Sequence, residues 1–185
     1  MKYCSQSNNR YALNNYAEVF PKIFPYFSCG MTGIDVHEET RLKLRAQEQE
    51  KKDAAEKSIR TMLGIPGFNP NSLQQVLPIM QALGHKKAES TEKKEMQKFS
   101  ELGPLQARIA DAIKRYRKAS KAISTYFDVE LYDGRLYYSL DPSGTAYGRM
   151  ASRASAFWCG TQIQNIPGYA RAMVHAPEGW DFGLS

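Results

Sequence analysis

From Asp35 to Leu63 the chain carries neither glycine nor proline, and this unbroken run of helix-forming residues constrains the fold more than any other stretch. Asp35 with Glu38 three residues later gives a capping-box pattern at its start, and Gly64 supplies its stop. The spacing predicts one long helix. Its acidic and basic residues balance, as on a solvated face held by local ion pairs. A turn-rich connector, Gly67-Phe68-Asn69-Pro70-Asn71-Ser72, follows. Ser72 and Gln75 form a second capping box ahead of a helix that ends at Gly84, and Pro78 is expected to kink that helix or shift its start. His85 to Thr91 reads as a polar loop and Glu92 to Leu102 as a helix stopped by Gly103. Pro104 then opens a further helix that runs to about Ser124.

That last helix holds the charge asymmetry. From Thr91 to Phe127 there are nine basic residues against four acidic ones. Lys114, Arg117, Lys118 and Lys121 recur at helical spacings and share one face, while Ile109, Ala110, Ile113, Tyr116 and Ile123 supply an apolar one. A basic face of this kind has two readings, an ordinary solvated surface or a contact for phosphates. After Tyr126 the period changes: Val129 and Leu131 alternate with polar neighbours, Asp133-Gly134 is a hairpin turn, and Arg135 to Leu140 continues extended. Helices first and strands after them predict an α+β chain.

With 185 residues and 42% hydrophobic content, the chain is long enough for one domain or two small ones. A net charge of +6 fits a nucleic acid or an anionic surface, and decides neither. Cys4, Cys29 and Cys159 show no disulfide or zinc spacing, which points to a reducing, cytoplasmic setting. The polar start, Met1 to Asn15, lacks the character of a signal or transit peptide, and no stretch reaches the roughly 20 apolar residues of a membrane span. His37, His85 and His175 are scattered, and there is no phosphate-binding glycine loop or dinucleotide fingerprint. Ser143-Gly144, Ser152 and Ser155 stand in no nucleophile elbow.

The last third carries Gly144-Thr145-Ala146-Tyr147-Gly148-Arg149, then Gln164-Asn165-Ile166-Pro167, then Arg171 and Ala176-Pro177-Glu178-Gly179-Trp180. In order and approximate spacing these resemble the T-x-T-G-R, Q-N-I-P and I-R-x-x-F-x-A-P-x-G stretches of family A DNA polymerases, the bacterial polymerase I type. Tyr116-Arg117, Lys121 and Ser124-Thr125-Tyr126 resemble that family's Y-R-x-x-x-K-x-x-S-T-Y segment at the end of the thumb. Gly33-Ile34-Asp35 is similar to the opening of the long thumb helix, and Phe68-Asn69-Pro70-Asn71-Ser72 to the F-N-x-x-S segment after it. The resemblance covers about Cys29 to Ser185. Tyr147 replaces the second threonine and Val174 the phenylalanine, while the longer Arg153 to Gln162 stretch is closer to phage-encoded members. Tyr3-Cys4 and the helix after it faintly resemble the end of a proofreading exonuclease, with Ser7 where an aspartate is expected.

The resemblance implies the end of an exonuclease-like region over 1–28, a helical thumb over 29–126, and the first strands of a polymerase palm over 127–185. It implies DNA-directed DNA polymerase chemistry on primer-template DNA, with deoxynucleoside triphosphates and Mg2+ in the complete enzyme. Arg149, Gln164 and Asn165 would donate hydrogen bonds along the minor groove near the primer terminus, where purine N3 and pyrimidine O2 accept at similar places on every base pair. Lys114, Arg117, Lys118, Lys121 and Arg171 would complete the DNA contacts, the thumb cations positioning phosphates without reading sequence. No catalytic or metal-binding residue is expected in this chain. In the family's register the first metal-binding aspartate comes directly after Ser185, so Asp181 is not that ligand and the chain alone is expected to be inactive. A truncated gene or incomplete assembly would explain this end, and so would a split enzyme, in which the missing half of the polymerase is a partner. Two rivals stand beside this reading: a stand-alone, non-catalytic DNA-binding protein, and a basic helical protein that binds RNA.

Overall fold

The computed structural model describes residues 10–142, 144, 150–154 and 160–176. Its elements, in chain order, are α1 (Arg10–Thr32), β1 (Ile34–Asp35), α2 (Glu38–Leu63), α3 (Leu73–Ala82), α4 (Lys93–Ser100), α5 (Pro104–Ala122), β2 (Arg135–Leu136), β3 (Ser139–Asp141) and β4 (Ala151–Arg153). A π turn spans Ile123–Phe127, and 3-10 turns span Ile163–Asn165 and Gly168–Met173. The chain is mostly helical with a few short antiparallel strands, an α+β fold as expected. It divides into two compact units, one made of 1–42 with 128–185 and the other of 43–127. Residues 29–42, expected at the head of the thumb, cluster with the strand-bearing segment.

The second unit is built on one apolar core. Ile59 from α2, Val76 and Met80 from α3, Met96 and Phe99 from α4, and Ile109, Ile113 and Tyr116 from α5 are all buried in it. On α5 the buried positions recur at three and four residues, so a single stripe faces inward. Each fully buried large side chain contributes roughly 1.5–3 kcal/mol, and these contacts hold the helices together. α2 sinks only Glu48, Ala55 and Ile59, which matches its charge-balanced sequence, and it carries ion pairs such as Arg60 with Glu56 at 2.6 Å. Gly64, at φ +66, ends it and donates to Arg60 O at 2.9 Å.

Neither capping box forms. At the head of α2 the cap is His37, whose Nδ1 accepts from Thr40 N at 3.2 Å. Asp35 lies in β1, and its carboxylate meets Arg135 Nε at 2.9 Å. Ser72 does stand at the N-cap of α3 with an extended backbone but makes no side-chain cap, and Gln75 Oε1 accepts from Asn69 N at 2.7 Å. The Asn69–Pro70 turn, folded back beside the helix, outcompetes Ser72 for that acceptor. Pro78 sits inside α3, where its start is not shifted.

In the first unit the turn at Asp133-Gly134 is as expected, with both residues at positive φ, 52° and 71°, and Tyr132 and Arg135 bonded across it. Its strand partner is different. β2 pairs antiparallel with β1, Ile34 opposite Leu136 and Asp35 opposite Arg135, while Val129 and Leu131 belong to no strand. On its other side β1 is flanked by 173–175, through His37 N to Met173 O at 2.7 Å and His175 N to Asp35 O at 3.2 Å. β3 pairs antiparallel with β4, Leu140 opposite Ser152. Arg135 also donates from Nη1 to Thr32 O at 2.9 Å and so ties the end of α1 to the turn. Among the described residues, no helix is long and apolar enough to cross a membrane.

Candidate nucleic-acid interface

α5 turns its apolar stripe inward, which leaves the basic residues at its margin and outside. Lys118 and Lys121 are exposed and Lys114 is half-buried, and none of the three has an ion-pair partner among the described residues. Ile113, Tyr116 and Ala119, interleaved with them, are buried and hold the helix in place. Lys52 Nζ lies 5.6 Å from the centre of the Tyr116 ring, a further contact between α2 and α5. Burial pushes the Tyr116 phenol above its ordinary pKa, so it stays neutral.

Arg117 departs from the other three. Its Nε donates to Pro70 O at 2.8 Å, its Nη1 to Thr91 O at 2.9 Å and its Nη2 to Thr91 Oγ1 at 3.2 Å. The guanidinium clasps two connectors to α5, and the burial this entails lowers its pKa. Its planar fork finds three fixed acceptors inside the unit, which gives it a structural part that the three lysines lack.

A second cationic surface escaped the reading of the sequence. The loop after α3 presents Lys86 and Lys87, both exposed, beside Lys98 of α4, around an open cavity of about 960 Å³ that His85 and Glu95 also line. Glu95 takes a hydrogen bond from Lys98 Nζ at 2.6 Å and lies 2.7 Å from His85 Nε2. Those two contacts, Lys98 first, hold its carboxyl below the ordinary value of 4.5. The visible signal was the Lys86-Lys87 pair just past a helix-ending glycine.

In the first unit, Gln164 and Asn165 are adjacent on one 3-10 turn and are differently used. Gln164 Oε1 accepts from Ser152 N at 3.0 Å, its Nε2 donates to Met150 O at 3.3 Å, and its backbone N–H donates to Ser152 Oγ at 3.3 Å. This clamps the turn to β4. Asn165 is exposed, and its Nδ2 donates to Gln162 Oε1 at 2.5 Å. Arg171 is exposed and donates from Nε to Ile166 O at 3.3 Å. Arg149 lies outside the described residues, as do the rest of 145–149, 155–159, 177–185 and 1–9 with Tyr3, Cys4 and Ser7. Among the described residues no three His, Cys, Asp or Glu side chains come together as a metal site.

No family model matches the sequence, and no curated protein does. The structure does have a neighbour. It is similar to a solved structure of the POL domain of Pol1 from M. smegmatis, in complex with DNA primer-template and dNTP. The TM-score is 0.56 at 18% sequence identity, over 77% of this chain and 26% of that one. The fold resembles part of a polymerase domain. The chain spans about a quarter of that neighbour's length, and the shared, polymerase-like fold takes in most of this chain.

Proposed function

We propose that the chain is the DNA-gripping portion of a family A, template-directed DNA polymerase of phage-like type: a thumb whose compact body is 43–127, and the opening of a palm in 128–185. One observation carries this reading: in a polymerase-like fold, unpaired Lys114, Lys118 and Lys121 line one edge of a helix whose opposite face is locked in the core. Phosphates repeat identically along any duplex, so a lysine edge on a fixed helix grips DNA without reading its sequence. Lys86 and Lys87 extend the same grip.

The sequence motifs add the palm side. Arg149 and Asn165 donate to minor-groove acceptors near the primer terminus, together with the second Nε2 hydrogen of Gln164 that its clamp to β4 leaves over. Arg171 contributes a cation to the same strand path. Magnesium and the deoxynucleoside triphosphate belong to this proposal, with no residue of this chain assigned to hold either. In this proposal the nucleotidyl transfer itself is carried by carboxylates of the complete polymerase.

Fluorescence anisotropy with a labelled primer-template duplex tests the grip. Contact with three phosphates gives a log-log salt slope of roughly −3, and Lys118→Glu with Lys121→Glu reduces both affinity and slope. Binding that ignores salt, or that prefers one sequence strongly, overturns the reading.

A further inference from the structure

The helical unit has one more feature, which gripping a duplex leaves unused. A groove of about 530 Å³ runs between α2 and α5, and none of Lys114, Lys118 and Lys121 lines it. Ala54, Ala55 and Met62 from α2 and Ala112 from α5 line it with apolar side chains, beside Ser58 and Thr61, whose hydroxyls donate to Ala54 O and Lys57 O. Its rim is cationic, with Lys51 and Lys57 on one wall and Arg108 and Arg115 on the other. Asp111 is the carboxylate in the lining, and it is taken by Arg115. Lys51 bonds Glu48 at 2.5 Å, whereas Lys57 and Arg108 are exposed with no ion-pair partner among the described residues.

The occupant follows from this chemistry. A single nucleic-acid strand would find no aromatic ring in the lining to stack its bases on, and the apolar side chains between the two cationic walls have no counterpart on a phosphate backbone. The walls are two helix faces whose lining residues recur three and four apart, which is the geometry that receives a third helix. Alanines in the lining let its backbone approach closely. From Lys51 to Met62 the groove wall rises about 16 Å, or three turns.

We propose that this groove docks an acidic amphipathic helix of a partner protein. Its apolar side chains lie over Ala55, Ala112 and Met62, and its flanking carboxylates pair with Lys57 and Arg108. Such a site attaches an accessory protein to the helical unit while the lysine edge stays free for DNA.

The test uses the whole chain and a fluorescein-labelled peptide of about 14 residues, leucines on one helical face and glutamates on the other. Two controls accompany it: the same composition scrambled so that no face is apolar, and a single-stranded oligonucleotide. The amphipathic peptide binds, the scrambled one binds at least tenfold more weakly, and the double variant Lys57→Glu with Arg108→Glu abolishes the difference. Ser58→Trp, which fills the groove from an exposed position, blocks the peptide while circular dichroism and salt-dependent duplex binding stay unchanged. Equal binding of both peptides, or no binding, overturns the proposal. Oligonucleotide binding that competes with the peptide and is lost in the double variant overturns it in favour of a nucleic-acid track.

Discussion

Arg117 and Lys118 follow one another on α5 and carry the same formal charge, yet one faces the two connectors and the other faces water. Their spacing made them equal members of one basic face, because helical period reports direction around an axis and is silent about acceptors brought in from residues 70 and 91. Replacing Arg117 with Ala strands Pro70 O and Thr91 O in a half-buried site, so it costs about 2–3 kcal/mol. Arg117→Lys recovers little, since one ammonium cannot span both connectors. Lys118→Ala stays within about 0.5 kcal/mol in the same urea melts and lowers DNA affinity instead. Equal melts for the two alanine variants would return Arg117 to the DNA face. Glu95 gives a pH signature. Its folded pKa is depressed, chiefly by Lys98 and then by His85, so its contribution is present above the unfolded value near 4.5 and is lost as pH falls through the folded one. The urea midpoint therefore drops on acidification from about pH 5 downwards, and Glu95→Gln flattens that limb. A midpoint curve identical in both proteins rules this out.

The elements were legible wherever glycine or proline punctuates the chain. Leu63 before Gly64 and Pro104 after Gly103 mark helix ends that the structure reproduces, because those residues act on their own backbone. The cap of α2 was hidden since it is an imidazole, outside the usual set of capping side chains. The partner of β2 was hidden for another reason: a tight turn advertises the strand next to it, and β1 lies far upstream. Of the candidate site, the lysine edge of α5 could be read from periodicity, whereas the clamp of Gln164 on Ser152 depends on strand register, which no local pattern records. Close approach of backbones at Gly160 was equally invisible. This residue sits at φ +89, and a Cβ there would come within 1.9 Å of Tyr137 O, whose carbonyl accepts from Thr161 N at 3.2 Å. Gly160→Ala should destabilise the strand-bearing unit by on the order of 3 kcal/mol, measured by hydrogen exchange at residues 135–141. Unchanged protection there would mean that the approach of 137 to 160 is dispensable.

At the scale of the molecule, the two units differ in how the chain makes them. Residues 43–127 form one continuous segment and hold the whole core of Ile59, Phe99 and Ile113, so that segment expressed alone should give a helical circular dichroism spectrum and a cooperative melt. A non-cooperative melt would show that its core needs the rest of the chain. The other unit is discontinuous, and Arg135 closes on Thr32 only across 103 positions of sequence. During synthesis at about 5–20 residues per second, that gap lasts between roughly 5 and 20 seconds. For that time the edge of β1 is left without its β2 partner. The inserted helical unit can complete itself in the interval. The first unit meanwhile displays an open strand edge of the kind that pairs with other chains, and its yield in the cell should depend on how quickly translation delivers Arg135 and Leu136.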